Sequence, residues 1–322
     1  MKLIIQIPCY NEEKTLPQTL ADIPDTIDGI DTIETLVIDD GSTDNTIAAA
    51  KASGADHIIR NTKNKGLARS FQAGLDACLR LGADIIVNTD GDNQYKGQDI
   101  PKLIQPILDG NADIVIGDRQ TDTIPHFSPA KKKMQTIGSF IVRLLSDTKV
   151  PDAVSGFRAF SREAALQMNI VSSFSYTIET VIQAGKKDLA VASVPIDTNS
   201  KTRESRLFKT IPGFLKQSGS TMVRMYAMYQ PLRVFFYIGC ALILLGMIPS
   251  VRFLYYYISG SSAGHIQSLI LAAILFIIGF QVLMIGIVAD VIGFNRKLIE
   301  ETLLRIKRIE LDRNGKTKKR PG

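Results

Sequence analysis

The chain has 322 residues, a net charge of +6 and three scattered cysteines, Cys9, Cys78 and Cys240. That length suits one large α/β domain with something smaller beside it, and the odd, scattered cysteine set fits a reducing compartment better than a disulfide framework. The positive balance suits an anionic partner, but no zinc-finger spacing and no RNP-type aromatic motif accompanies it, so nucleic acid is not the partner expected.

The opening Met1-Lys2-Leu3-Ile4-Ile5-Gln6-Ile7-Pro8 is broken too early for a signal peptide and reads as a first strand. Apolar runs bounded by turn residues predict strands over 3–8, 35–39, 57–60, 84–90 and 113–117. Helical patterns lie between them, over about 12–23, 44–53, 66–81 and 99–109. Strand alternating with helix predicts an α/β fold with a mostly parallel, doubly wound sheet, whose ligands bind outside the carboxyl ends of the strands. Polar residues gather at those ends: Pro8-Cys9-Tyr10-Asn11-Glu12, Asp39-Asp40-Gly41-Ser42 and Asp90-Gly91-Asp92.

Beyond Arg119, residues 121–129 read as a loop, followed by Lys131-Lys132-Lys133 and a helix over about 134–145. The segment Asp152-Ala153-Val154-Ser155-Gly156-Phe157-Arg158 comes next, then a last strand over 189–196 and the basic stretch Lys201-Thr202-Arg203-Glu204-Ser205-Arg206. Apolar residues then recur at roughly helical spacing beside lysines and arginines, the pattern of interface helices over 207–230. Two apolar runs, Val234–Val251 ending at Arg252 and the charge-free Ser268–Val288, are each about long enough to cross a bilayer and predict membrane helices over about 234–257 and 267–289. Lys and Arg flank the pair on both sides, which predicts a transmembrane hairpin with the preceding domain and the tail both cytoplasmic. The expected division is therefore an α/β domain over 1–206, interface helices over 207–230, two transmembrane helices over 231–292 and a basic tail over 293–322 that is disordered or lipid-facing.

Asp90 and Asp92 close an apolar strand and are separated by one glycine. Two carboxylates at that spacing can converge on one hard cation, Mg²⁺ or Mn²⁺, leaving positions open for diphosphate oxygens; Gln94 is placed to add an amide oxygen. A carboxylate at Asp39 can accept hydrogen bonds from a base or ribose, while Asp44 is expected to cap the following helix. Arg119, Arg203, Ser205 and Arg206 are candidate phosphate contacts.

Four motifs in register, Pro8-Cys9-Tyr10-Asn11-Glu12-Glu13, Val37-Ile38-Asp39-Asp40-Gly41-Ser42-Thr43-Asp44, Asn64-Lys65-Gly66-Leu67-Ala68-Arg69 and Asp90-Gly91-Asp92, resemble the inverting family 2 glycosyltransferases of GT-A fold. The resemblance implies that Pro8, Tyr10, Asn11, Glu12 and Asp39 surround a nucleotide with Lys65 nearby, and that Asp90, Asp92 and Gln94 hold the metal. The Asp152–Arg158 segment, the 201–206 stretch and the hairpin resemble the polyprenyl-phosphate glycosyltransferases, such as dolichol-phosphate mannose synthases and bacterial undecaprenyl-phosphate glucosyltransferases. One departure is Ser205-Arg206, where that subfamily often has Ser-Lys. The chain has no Trp, which argues against the Gln-x-x-Arg-Trp form of processive synthases. The resemblance implies transfer of a single sugar from a UDP- or GDP-hexose to a polyprenyl phosphate, with Asp92 and Asp152 as catalytic-site carboxylates. Asp152 would orient substrate or act as a base. A homo-oligomer formed through the membrane helices is compatible with it, and a glycosyltransferase acting on a lipid or glycan hydroxyl is the competing reading.

Overall fold

A computed structural model describes residues 1–120, 138–143, 145–172, 176–199, 219–220, 224, 228–260 and 265–318. It divides into two compact units, one comprising Met1–Met222 with Leu304–Gly322 and the other Val223–Leu303.

The first unit is built on seven strands: β1 (Lys2–Cys9), β2 (Thr32–Asp39), β3 (His57–Arg60), β4 (Ile85–Asn88), β5 (Ile114–Asp118), β6 (Arg158–Ser161) and β7 (Val191–Pro195). Their order across the sheet is β3-β2-β1-β4-β6-β5-β7, and only β6 runs antiparallel to its neighbours. β1 and β4 are apolar because helices cover both faces of the sheet, and Leu3, Ile4, Ile5, Ile85, Ile86 and Val87 are fully buried. The helices are α1 (Leu16–Ala21), α2 (Thr46–Ala52), α3 (Leu67–Arg80), α4 (Ile100–Leu108), α5 (Arg162–Gln167) and α6 (Tyr176–Lys186). α3 buries Ala68, Phe71, Leu75 and Cys78, one stripe at helical spacing, against β1 and β2. Gly74 on that stripe allows the approach, since a Cβ there would stand 2.3 Å from Gln6 Oε1.

The expected strands are all present, and β2 begins earlier than predicted, at Thr32. β6, α5 and α6 are additions. β6 is four residues, Arg-Ala-Phe-Ser, too short to show a period, and it opens on a fully buried arginine. The expected stretches over 121–129 and 201–206, the start of the 134–145 helix and most of 207–230 lie outside the described residues.

The β1–β2 ladder runs to Cys9 and Asp39, whereas the β1–β4 ladder stops at Gln6 and Asn88. Strand order also reverses here, because β1 leads to β2 on one side and lies beside β4 on the other. A crevice therefore opens at the carboxyl ends of β1 and β4, the place where such sheets bind ligands.

In the second unit α7 (Pro231–Ile258) and the membrane-length part of α8 (Ile266–Lys318) are long and apolar enough to cross a bilayer, with mean hydropathies of 2.3 and 2.7. The expected spans lie within them. Glycines seven residues apart, Gly239 and Gly246 on α7 and Gly279 and Gly286 on α8, bring the two helices together. A Cβ on Gly239 would stand 2.7 Å from Leu283 and 3.0 Å from the Gly279 carbonyl oxygen. Such small residues permit close backbone approach where lipid offers no hydrophobic drive.

Residues from Leu304 onward belong to the first unit. They continue α8 as helix through Lys318, in place of the disordered or lipid-facing tail expected. Lys307 Nζ lies 3.3 Å from Asp76 and 3.2 Å from Asn169 Oδ1, Arg308 pairs with Glu163, and Glu310 lies 3.6 Å from Arg80.

Candidate active site

The crevice is knitted from the loops after β1, β2 and β4. Asn11, at φ 57°, donates its N–H to Ser42 Oγ at 2.9 Å, and its Oδ1 accepts the Thr43 N–H at 2.8 Å. The Glu12 N–H reaches Thr46 Oγ1 at 2.9 Å, and Thr15 Oγ1 lies 2.8 Å from both Glu12 Oε2 and the Gly91 carbonyl oxygen. The N-cap of α2 is Asn45, which makes no side-chain capping bond; Asp44, the cap expected, stands one residue before it and accepts the Thr46 N–H at 3.0 Å. Burial alone would raise its pKa, but hydrogen bonds from Thr46 and Glu13 hold it below the ordinary value.

The adjacent aspartates after β2 have separate roles. Asp40 is structural: it accepts the Asn61 side-chain amide at 2.9 Å and the N–H groups of Lys65 and Gly66 at 2.9 and 2.8 Å. This ties the Lys65 backbone to the site and leaves its side chain exposed. Gly41, at φ +73°, lies so close that a Cβ would meet Lys63 backbone at 2.6 Å. Asp39 is fully buried; its Oδ1 accepts the Ser42 N–H at 3.0 Å. Its Oδ2 has no hydrogen-bond partner among the described residues and lies 3.6 Å from Arg60 Nε. A buried carboxylate oxygen left in this state suits a ligand's N–H or O–H.

Asp90 and Asp92 stand at the mouth of the crevice. Gly91 between them packs on Cys9, where a Cβ would meet Sγ at 2.7 Å. The Cys9 thiol is pushed well above its ordinary value, first by burial and then by the negative charges of Glu12, Asp39, Asp90 and Asp92. Four carboxylates around one crevice would repel a diphosphate unless a cation lay between them. Among the described residues no group of three or more His, Cys, Asp or Glu gathers to hold a metal. Two aspartates are nevertheless a fitting donor set for Mg²⁺ or Mn²⁺, which take hard oxygen ligands and share their shell with substrate phosphates. Gln94, the amide-oxygen ligand expected, lies beside the pair: its Nε2 donates to Asp92 Oδ2 at 2.9 Å, which orients that carboxylate.

The far wall comes from the 152–158 segment. Asp152 is 5% exposed and bound by Arg119, whose Nε reaches Oδ2 at 2.7 Å and whose Nη2 reaches Oδ1 at 2.9 Å. Burial would raise the Asp152 pKa, but Arg119 holds it below the ordinary carboxylate value. Burial likewise disfavours the Arg119 charge, but Asp152, Tyr95 and Asp90 more than compensate and raise its pKa. Arg158 is fully buried and gathers carbonyl oxygens: Ser155 and Ala153 at 2.8 Å and Thr177 at 2.7 Å. It shapes the loop that carries Asp152.

Pro8, Tyr10, Asn11, Glu12, Asp39, Lys65, Asp90, Asp92, Gln94, Arg119 and Asp152 are thus all placed on loops or strand ends at the carboxyl edge of the sheet. Arg203, Ser205 and Arg206 lie outside the described residues. Asn199, the last described residue before them, joins the site by donating to the carbonyl oxygens of Gln94 and Asn93 at 2.9 and 3.0 Å. Residues missed by sequence reasoning include Asn88, Tyr95 and Tyr176, whose polar groups converge on Gly156. Asn88 alone carried a signal, as the one polar residue of the strand Ile-Ile-Val-Asn.

Residues 4–167 match the model of glycosyl transferase family 2, and residues 230–294 match that of the GtrB C-terminal hairpin. The glycosyltransferase AglJ of Haloferax volcanii is 29% identical over 95% of this chain and 97% of its own. A UDP-N-acetylglucosamine–dolichyl-phosphate N-acetylglucosaminyltransferase of Methanococcus voltae is 32% identical over 60% of this chain and 83% of its own. Among solved structures, glucosyl-3-phosphoglycerate synthase from Mycobacterium tuberculosis, in complex with Mn²⁺, UDP-glucose and phosphoglyceric acid, superposes with a TM-score of 0.54 at 20% identity, covering 70% of this chain and 78% of its own. That likeness extends to the fold.

Proposed function

Because the chain belongs to glycosyl transferase family 2, we propose that it transfers a single sugar, with inversion, from a nucleotide-sugar to a polyprenyl phosphate at a membrane surface. The observation that carries this reading is the acidic pair Asp90 and Asp92 at the β1–β4 crevice, beside the half-unpartnered carboxylate of Asp39. The apolar hairpin supplies the membrane association that a lipid acceptor requires. The basic residues flanking the hairpin favour a cytoplasmic site, where UDP- and GDP-sugars are found.

In this reading Asp39 takes the base or ribose through Oδ2, Tyr10 offers an exposed ring at the mouth, and Pro8, Asn11, Glu12 and Lys65 frame the nucleotide. Asp90 and Asp92 would hold Mg²⁺ or Mn²⁺, with Gln94 orienting Asp92. A divalent cation there neutralises the charge that develops on the leaving diphosphate. Arg119, with Arg203, Ser205 and Arg206, contributes positive charge and donors for phosphate. An acceptor phosphate is already anionic near neutral pH, so it needs little activation by a base. Asp152, held ionised and gripped by Arg119, suits orientation better than proton abstraction.

The test is a panel of nucleotide-sugars offered to the detergent-solubilised protein with undecaprenyl phosphate and Mg²⁺ or Mn²⁺, read by mass spectrometry. One donor should yield a lipid-linked sugar that mild acid releases, and Asp92→Ala should abolish it. Undiminished transfer by Asp92→Ala in saturating metal, or an acid-stable product, would overturn the reading.

A further inference from the structure

The Asp90 carboxylate lies across Gly156. A Cβ built on Gly156 would stand 3.1 and 3.2 Å from the two Asp90 oxygens and 3.0 Å from the Tyr176 hydroxyl. The carboxylate and the hydroxyl therefore border the same side of one glycine, and Gly is the residue that lets them do so.

Tyr176 is fixed at both ends. Its ring stacks on Phe71 of α3, with centroids 3.8 Å apart and planes 1° from parallel. Its oxygen accepts the Asn88 side-chain N–H at 2.8 Å, and Asn88 is itself oriented by Gln6, whose Nε2 donates to Oδ1 at 2.9 Å. Because Asn88 is the donor, the hydroxyl proton must point elsewhere. Its hydrogen-bond partner is the Gly156 carbonyl oxygen at 3.3 Å, long for an O–H···O bond. That oxygen already accepts from Asn88 at 2.9 Å. A carboxylate beside the hydroxyl is the stronger acceptor.

We propose that Tyr176 is a positioning residue for the metal-holding carboxylate: its hydroxyl, aimed by Gln6 and Asn88, sets the orientation of Asp90 across Gly156 for a divalent cation. This rests on the reading of Asp90 as a metal ligand. Groups that orient a ligating carboxylate commonly contribute roughly 10-fold or more to metal affinity. Tyr176→Phe keeps the ring and its stacking and removes only the hydroxyl. Gly156→Ala keeps the hydroxyl but drives a methyl between it and the carboxylate.

The experiment is titration of the full-length protein with Mn²⁺ in the presence of UDP, following the free-ion signal by electron paramagnetic resonance. Wild type, Tyr176→Phe, Gly156→Ala and Asp90→Asn are compared. Tyr176→Phe is expected to weaken Mn²⁺ binding by about 10-fold, to shift the Mn²⁺ concentration for half-maximal transfer by the same factor, and to recover wild-type kcat in excess Mn²⁺. A purely structural role would lower stability without moving the Mn²⁺ titration. Wild-type affinity in Tyr176→Phe, with affinity lost in Asp90→Asn, would overturn the inference and leave the proposed function standing. Wild-type affinity in Asp90→Asn would remove the metal reading and the inference with it. Gly156→Ala gives a second reading of the inference, since it should weaken Mn²⁺ binding with Tyr176 intact.

Discussion

Arg119, just beyond β5, grips Asp152, ahead of β6, through two parallel hydrogen bonds, with 16% of the Arg119 side chain and 5% of the Asp152 side chain exposed. Segments far apart in sequence are clamped at the wall of the crevice by one bidentate ion pair. Removing one partner of such a pair leaves the other buried and uncompensated. Asp152→Asn should therefore lower stability by about 3–5 kcal/mol in denaturant unfolding, and should slow transfer by loosening the wall.

The same pair sets a pH dependence. Asp152 has its pKa depressed in the folded state, so its contribution to stability is present above the ordinary value of 3.8 and is lost as pH falls through the depressed one. Thermal scans should find no loss from this pair between about pH 5 and 8. The pH–rate profile should likewise show no acid limb removed by Asp152→Asn; such a limb would identify Asp152 as a titrating base.

Arg158 is held without a carboxylate, by the carbonyl oxygens of Ala153, Ser155 and Thr177 and by the Thr180 hydroxyl. Burial lowers its pKa to about 10, and it remains charged at neutral pH. The three donors of a lysine radiate from one nitrogen and cannot span the oxygens that Nε, Nη1 and Nη2 of Arg158 reach separately, and each oxygen left buried and unpaired costs about 1–3 kcal/mol. Arg158→Lys should consequently unfold the wall around Asp152 at lower denaturant, with a fall in midpoint measured in detergent.

Within the hairpin, Gly239 faces Leu283 and the Gly279 carbonyl oxygen at distances that leave no room for a side chain. Gly239→Leu should force α7 and α8 apart. Overpacking of this kind costs about 1–3 kcal/mol, which would register as a lower aggregation temperature in detergent and as new protease cleavage in the hairpin.

The helical tail offers a charge-swap test. Lys307 lies 3.3 Å from Asp76, with side chains 17% and 31% exposed. Lys307→Glu should weaken tail docking by about 1 kcal/mol or less, raising proteolysis after residue 303. The double variant Lys307→Glu with Asp76→Lys should restore protection, and high salt should weaken docking in the wild type.

The sheet was legible because a covered parallel sheet needs continuous apolar strands, and Leu3-Ile4-Ile5 and Ile85-Ile86-Val87 are such runs. The crevice was legible because strand ends must carry the polar residues that ligands use. β6 and the tyrosine network were not. Four residues show no period, and nothing local marks Tyr176 as a neighbour of Asp90, 86 positions away in the numbering.

The amino-acid order by itself determined which segments other than β6 are strands, which are membrane-length helices and which carboxylates stand at strand ends, because burial periodicity and turn chemistry are properties of neighbouring residues. Only the tertiary structure decided how Asp39 and Asp40 divide their work, that Asp152 is answered by Arg119, and that Gly156 separates Asp90 from Tyr176. These are contacts between distant segments, fixed by packing across the sheet, and no spacing rule along one chain encodes them.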